Sequence, residues 1–212
     1  MIRAKVCGLT TAAAVDAALA GGAGWLGFMV FPASPRDIAP DAAAHLARPA
    51  RGRAAIVAVT VDPDDALIER IAAVLKPDFI QLHGRESPAR VREVAARAGA
   101  GVIKAVPVAE AADVAAARGF EAVADHLMLD AKAPGGADRP GGLGAPFDWT
   151  LTAGLRLARP WFLAGGLDAW NVAQAVRLSG APMVDVSSGV ERGPGYKDPA
   201  LITAFLEAVR RA

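Results

Sequence analysis

Cys7 closes the short run Lys5-Val6-Cys7-Gly8, and Asp130 closes the apolar run Leu127-Met128-Leu129. These residue types invite acid and base chemistry. A thiol beside a cation is favoured as thiolate and can take a proton. A carboxyl ending an apolar run is desolvated, which favours its protonated form and suits a proton donor. Each has a plainer reading too: a lone cysteine packs well as a small hydrophobe, and Asp130 serves equally as a cap for a following helix or a partner for Lys132. Arg36 follows Ser34-Pro35, and its planar fork matches a carboxylate. His83, in Gln81-Leu82-His83-Gly84, either sits satisfied at a strand end or lines a pocket. Lys5 and Lys104 raise the question of Schiff-base chemistry, since a desolvated lysine can be an amine nucleophile. Gly165-Gly166 follows one apolar run, and Ser187-Ser188-Gly189 follows Val184-Asp185-Val186. Glycines there let backbone N–H groups approach an anion closely, and a phosphate cradle is the favoured reading over two tight turns.

Eight short apolar runs rich in β-branched residues could hold these groups: Ile2 to Cys7, Trp25 to Val30, Ala54 to Val61, Phe79 to Leu82, Gly101 to Val108, His126 to Leu129, Trp161 to Ala164 and Met183 to Val186. Between them lie Ala- and Leu-rich segments with helical spacing, such as Ala66, Ile68, Ile71, Ala72 and Leu75, or Val172, Ala175, Val176 and Leu178. Near-continuous apolar strands fit a parallel sheet covered by helices on its outer face. The expectation is an α/β protein: a single-domain, eight-stranded parallel (β/α)8 barrel over residues 1–212. That is short for the fold, where about 250 residues is typical, so loops must be short. An open doubly wound sheet is the alternative, but no G-x-G-x-x-G follows the first run. In a barrel the active site lies at the carboxyl ends of the strands, where Lys5, Cys7, Arg36, His83 and Asp130 fall, and loops seven and eight are the phosphate positions.

Composition narrows the classes. Hydrophobic residues are 53% and charged residues 21%, so the chain folds rather than staying disordered. Twenty-three Lys and Arg against 22 Asp and Glu leave a net charge of +1, which offers no field for nucleic acid. One cysteine forms no intrachain disulfide, and the three histidines, His45, His83 and His126, lack metal spacings, so no metal is expected. The uncharged stretch from Ala17 to Pro35 is broken by Gly21, Gly22, Gly24, Gly27 and Pro32, which reads as a helix end, a turn and a strand rather than a membrane span. Without a secretory h-region the expected place is the cytoplasm.

Taken in order, the blocks Lys5-Val6-Cys7-Gly8-Leu9-Thr10, Gly27-Phe28 with Ser34-Pro35-Arg36, Gln81-Leu82-His83-Gly84 and Leu129-Asp130 resemble those of the phosphoribosylanthranilate isomerases. So do Gly141-Gly142-Leu143-Gly144 with Phe147-Asp148-Trp149, Leu163-Ala164-Gly165-Gly166-Leu167 with Asn171-Val172, and Asp185-Val186-Ser187-Ser188-Gly189-Val190-Glu191 with Pro194-Gly195 and Lys197-Asp198. The resemblance spans nearly the whole chain. It implies an Amadori rearrangement in tryptophan biosynthesis that needs no cofactor, with Asp130 as general acid and Cys7 as general base. It implies further that Arg36 binds the anthranilate carboxylate and that N–H groups of Gly166, Ser188 and Gly189 hold the phosphate, with His83, Gly142, Gly165, Asp185 and Ser187 completing the substrate site.

Two departures stand out. Ala12, Ala13 and Ala14 replace acidic residues common in the family, and Leu143 replaces a Ser, Thr or Asn, leaving only backbone donors at Gly142 and Leu143. The expected partner is a small phosphoribosyl substrate, with no nucleic acid and no membrane, and a monomer or homodimer. The rivals are the related isomerase of histidine biosynthesis, which ends strand one in Asp rather than Cys7, a Schiff-base aldolase on Lys104, and a non-catalytic phosphosugar-binding barrel.

Overall fold

The computed structural model describes residues 2–132 and 147–212. The eight expected runs become strands β1 (Arg3–Cys7), β2 (Trp25–Met29), β3 (Ala55–Thr60), β4 (Phe79–Leu82), β5 (Gly101–Val108), β6 (His126–Ala131), β7 (Trp161–Leu163) and β8 (Met183–Val186). They pair in parallel in chain order, and β8 returns to β1 to close the barrel. The ends differ from expectation by a residue or two: β6 continues past Asp130, and Ala164 lies beyond β7.

Helices α1 (Ala12–Ala20), α2 (Pro40–Ala47), α3 (Asp65–Val74), α4 (Pro88–Ala98), α5 (Ala111–Ala116), α6 (Val172–Ser179) and α7 (Pro199–Arg211) wrap the outside. Their starts follow local chemistry: the side chains of Thr11, Asp64, Ser87 and Asp198 each accept a first-turn N–H. Gly99 and Gly180, at φ 59° and 69°, end α4 and α6 in the left-handed region. The apolar rows dock as spacing required at Ile68, Ile71 and Leu75, and at Val172, Ala175 and Val176. Ala66 and Leu178, read as part of those rows, face outward, because each lies off the stripe that meets the barrel. Among the described residues, the β6 to β7 connection carries a 3-10 turn, Trp149–Thr152, in place of an α-helix. A hairpin of β9 (Glu191–Gly193) and β10 (Tyr196–Lys197), which periodicity did not reveal, follows β8. The stretch from Ala17 to Pro35 is the end of α1, a turn and β2, as its glycines indicated.

The barrel interior is graded from end to end. At its amino-terminal end Trp25, Phe79, His126 and Phe162 meet edge-on or tilted, with centroids 4.9 to 5.9 Å apart, and form an apolar floor. Above them lie Val57, Val59, Ile103, Ala105 and Met128. Toward the carboxyl end the same inward parity brings in Lys5, Cys7, Gln81, Asp130 and Asp185, all buried. Among the described residues, Lys5, Cys7, Gln81, Asp130 and Asp185 thus gather toward one mouth.

Candidate active site

The base side of the mouth is built on β1 and its neighbours. Register places Lys5 opposite Asp185 of β8 and Cys7 opposite Gly27 of β2. Lys5 Nζ donates to Asp185 Oδ1 at 2.8 Å, an ion pair inside the barrel with Lys5 fully buried. Lys5 also meets the Cys7 thiol, two residues along the same face. Gly27 makes the room: a Cβ there would lie 3.1 Å from Cys7 Sγ and 3.2 Å from Lys5 Nζ. Burial pushes the Cys7 thiol above its ordinary range; Lys5 and Lys197 pull it down, Asp185 pushes the other way, and burial prevails. The expected cationic neighbour is therefore present, yet the resting side chain is a thiol. Lys5 itself, which burial alone would lower, is held above its usual value by Asp185 and Cys7.

The acid side lies on β4 and β6. Asp130, 6% exposed, pairs through Oδ2 with His83 Nε2 at 3.0 Å and accepts the Ala131 N–H on Oδ1 at 2.9 Å. Lys132, a partner weighed for it, lies instead 3.8 Å from Asp113. Behind His83, Gln81 Nε2 sits 3.1 Å from His83 Nδ1 and 3.4 Å from Met128 Sδ, leaving its buried Oε1 unpaired. Turning the amide over would leave two buried N–H donors in place of one lone acceptor, so the amide donates. His83 Nδ1 then accepts, and the imidazole proton sits on Nε2, aimed at Asp130.

The two expected anion loops bracket this mouth. Gly165 and Gly166 take φ of 87° and 63°, and a Cβ on Gly165 would press on Ala131 at 2.5 Å and on Asp130 Oδ1 at 3.0 Å. The loop after β7 therefore lies directly on the acid, and only glycine allows it. After β8, Ser187 Oγ donates to the Cys7 carbonyl at 3.3 Å, and Ser188–Val190 form a 3-10 turn. Gly189 packs against the Leu167 carbonyl where a Cβ has no space, which joins the two loops. Asp185, grouped at sequence level with the substrate contacts, is directed to Lys5 in the barrel interior. Gly142 and Leu143 lie outside the described residues.

Arg36 lies across the base side. Gly8, at φ 80°, has no Cβ because Arg36 Cδ would stand 2.6 Å from it. Ser34 Oγ accepts the Arg36 N–H at 3.1 Å, and the guanidinium forks onto Glu191 through Nε at 2.7 Å and Nη2 at 2.9 Å. Lys197 joins the same carboxylate at 2.6 Å and reaches the Ser187 carbonyl at 2.8 Å. Burial would raise the Glu191 carboxyl, but Arg36 and Lys197 carry it below its usual range. Glu191 and Lys197 carried no role at sequence level; a pairing 155 residues apart leaves no local signal.

Lys104, the aldolase candidate, is elsewhere. Ile103 and Ala105 face the interior, so Lys104 faces out, donating to Glu86 at 2.7 Å and to the carbonyls of Gly84 at 2.9 Å and Leu82 at 3.3 Å. Such an ammonium has no lone pair to offer a carbonyl. Glu86 in turn accepts from the Gly84 and Asp62 N–H groups, so the pair clamps the loop that carries His83. Among the described residues, no group of His, Cys, Asp and Glu could hold a metal ion.

A sequence model of N-(5′-phosphoribosyl)anthranilate isomerase matches residues 4–208. A Caulobacter vibrioides protein of that name is 62% identical over 210 residues, 99% of this chain and 96% of its own length. The solved structure of phosphoribosyl anthranilate isomerase from Thermotoga maritima superposes with a TM-score of 0.89 at 33% identity, over 100% of each chain. Another, of a phosphoribosyl anthranilate isomerase in complex with reduced 1-(o-carboxyphenylamino)-1-deoxyribulose 5-phosphate, matches with a TM-score of 0.86 at 31% identity, again over 100% of each chain.

Proposed function

The chain belongs to the N-(5′-phosphoribosyl)anthranilate isomerase family, and from that premise we propose how its own residues convert N-(5′-phosphoribosyl)anthranilate to 1-(2-carboxyphenylamino)-1-deoxyribulose 5-phosphate in tryptophan biosynthesis. Asp130 protonates the furanose ring oxygen; the C1′–O bond breaks as the amine nitrogen lone pair forms a Schiff base. The carboxylate left behind is received by two donors already aimed at it, His83 Nε2–H and Ala131 N–H. Cys7, as thiolate, removes the C2′ proton and gives an enolamine, which tautomerises to the ketone. Only proton transfers are required, and no cofactor takes part.

Arg36, fixed in plane by Glu191, presents its charge to the anthranilate carboxylate. The loops at Gly165-Gly166 and Ser187-Ser188-Gly189 take the phosphate on backbone N–H groups, with Gly142 as a further contact. The observation that carries the assignment is the contact of Gly165 with Asp130: the loop assigned to phosphate and the carboxyl assigned to acid catalysis are one surface. No helix among the described residues is long and apolar enough to cross a membrane; we place the protein in the cytoplasm as a monomer or homodimer acting on a small phosphoribosyl substrate, without nucleic acid. The test is complementation of a tryptophan auxotroph lacking this isomerase. The wild-type chain should restore growth, and Cys7→Ala and Asp130→Asn should not. Growth with either variant equal to wild type would overturn the residue roles.

A further inference from the structure

The base assigned above is a thiol in the resting protein, and a buried thiol yields its proton only if something nearby compensates the charge. Among the described residues, three charged groups act on Cys7: Lys5 from its own strand, Asp185 from β8 and Lys197 from β10. From β2 comes Gly27, whose missing side chain leaves open the space that borders both Lys5 Nζ and Cys7 Sγ. Arg36, beyond Gly8, is forked on Glu191. Lys197 is likewise taken up by Glu191 and the Ser187 carbonyl. Lys5 differs from both in its place: among the described residues its charged partner is Asp185, and the β1–β8 register fixes that pair directly beneath the sulfur.

We propose that Lys5 is the counter-ion of the Cys7 thiolate and that Asp185 both holds it in place and restrains it. With the thiol protonated, the buried set of ammonium, carboxylate and thiol is neutral overall. When the thiol loses its proton to solvent, the ammonium is shared between carboxylate and thiolate. Asp185 therefore sets how much of the Lys5 charge reaches sulfur. This rests on reading Cys7 as the base, but the coupling is measurable without turnover.

Cys7 is the single cysteine of the chain, so the ultraviolet absorbance of the thiolate reports on one group, with Cys7→Ser as the blank. In Asp185→Asn the whole Lys5 charge faces sulfur. Its titration midpoint should fall by about one unit, roughly a tenfold gain in thiolate at a given pH. In Lys5→Met/Asp185→Asn, which leaves no unpaired buried charge, the midpoint should rise above the wild-type value. The double variant against wild type carries the test alone where Asp185→Asn does not fold: a midpoint at or below wild type overturns the counter-ion role. So do equal midpoints in the single and double variants. If the midpoints move as stated while Cys7→Ala turns over at the native rate, the base reading fails and the counter-ion reading stands.

Discussion

The two walls of the mouth solve opposite problems by different means. On the β8–β1–β2 wall the group proposed as base must become charged in a buried place, and the wall supplies charge: Lys5 paired with Asp185 beneath Cys7. On the β4–β6 wall the group proposed as acid must give up a proton and leave a carboxylate, and the wall supplies oriented hydrogen-bonding groups: Gln81, His83 and the Ala131 N–H. A lysine on the acid wall would put a fixed charge beside the carboxyl, whereas the N–H groups of His83 and Ala131 meet it as hydrogen-bond donors. One strand on either side, β3 and β7, separates the two walls.

The comparison breaks most sharply at the two groups proposed to move protons. Cys7→Ala should lower kcat by ~10²-fold or more, the usual worth of a general base, with folding intact by circular dichroism. Because burial raises the thiol, the wild-type rate should climb with pH through neutrality and beyond the ordinary thiol range, as thiolate accumulates. Cys7→Asp, whose base is already ionised there, should keep part of the activity and lose that climb; a pH–rate profile of the two proteins decides it.

Asp130→Asn keeps the shape of the acid wall and supplies no proton. Its kcat should fall by ~10²-fold or more, while a reduced product analogue binds almost as it does to wild type by calorimetry. Native turnover, or lost binding with kcat kept, would return Asp130 to a structural role.

Gly166 tests what belongs to neither wall. Its φ of 63° is one a β-branched residue avoids, and a valine side chain would stand where phosphate approaches. Losing one charge-assisted bond, about 1.5–3 kcal/mol, corresponds to a KM raised by roughly ten- to a hundredfold. Steady-state kinetics should show that rise with kcat changed far less; a fall in kcat alone would move the phosphate elsewhere.

Much of this arrangement was legible in the residue order. Strands buried on both faces announce themselves as apolar runs, and Cys7, His83 and Asp130, at or just past the ends of three of them, mark the mouth. Lys104, carried as a Schiff-base candidate, proved to face outward between the inward Ile103 and Ala105. Illegible were contacts joining distant strands: Arg36 to Glu191, Lys5 to Asp185, Gln81 to His83 to Asp130. Each depends on register or loop path, which one-dimensional pattern does not carry. The balance of charge and burial at Cys7 was illegible for a related reason. A cation beside it was foreseeable, but the burial that outweighs it appears only once the barrel closes.

The smallest expected effect tests whether the acid wall is a relay or mere packing. Gln81→Met fills similar volume beside Met128 and removes the amide that donates to His83 Nδ1. One neutral hydrogen bond is worth about 0.5–1.5 kcal/mol, so kcat should fall between about twofold and tenfold with KM little changed. Packing alone could produce a loss that small, so the deciding observable is the imidazole itself. Nitrogen NMR of wild type should show His83 protonated on Nε2 and bare on Nδ1, whereas in Gln81→Met the two tautomers should mix. Gln81→Glu goes further, because a carboxylate on Nδ1 opposite Asp130 on Nε2 favours the imidazolium, and His83 should stay charged to higher pH. An unchanged tautomer in both variants would reduce Gln81 to core packing and leave the acid wall with His83 and the Ala131 N–H alone.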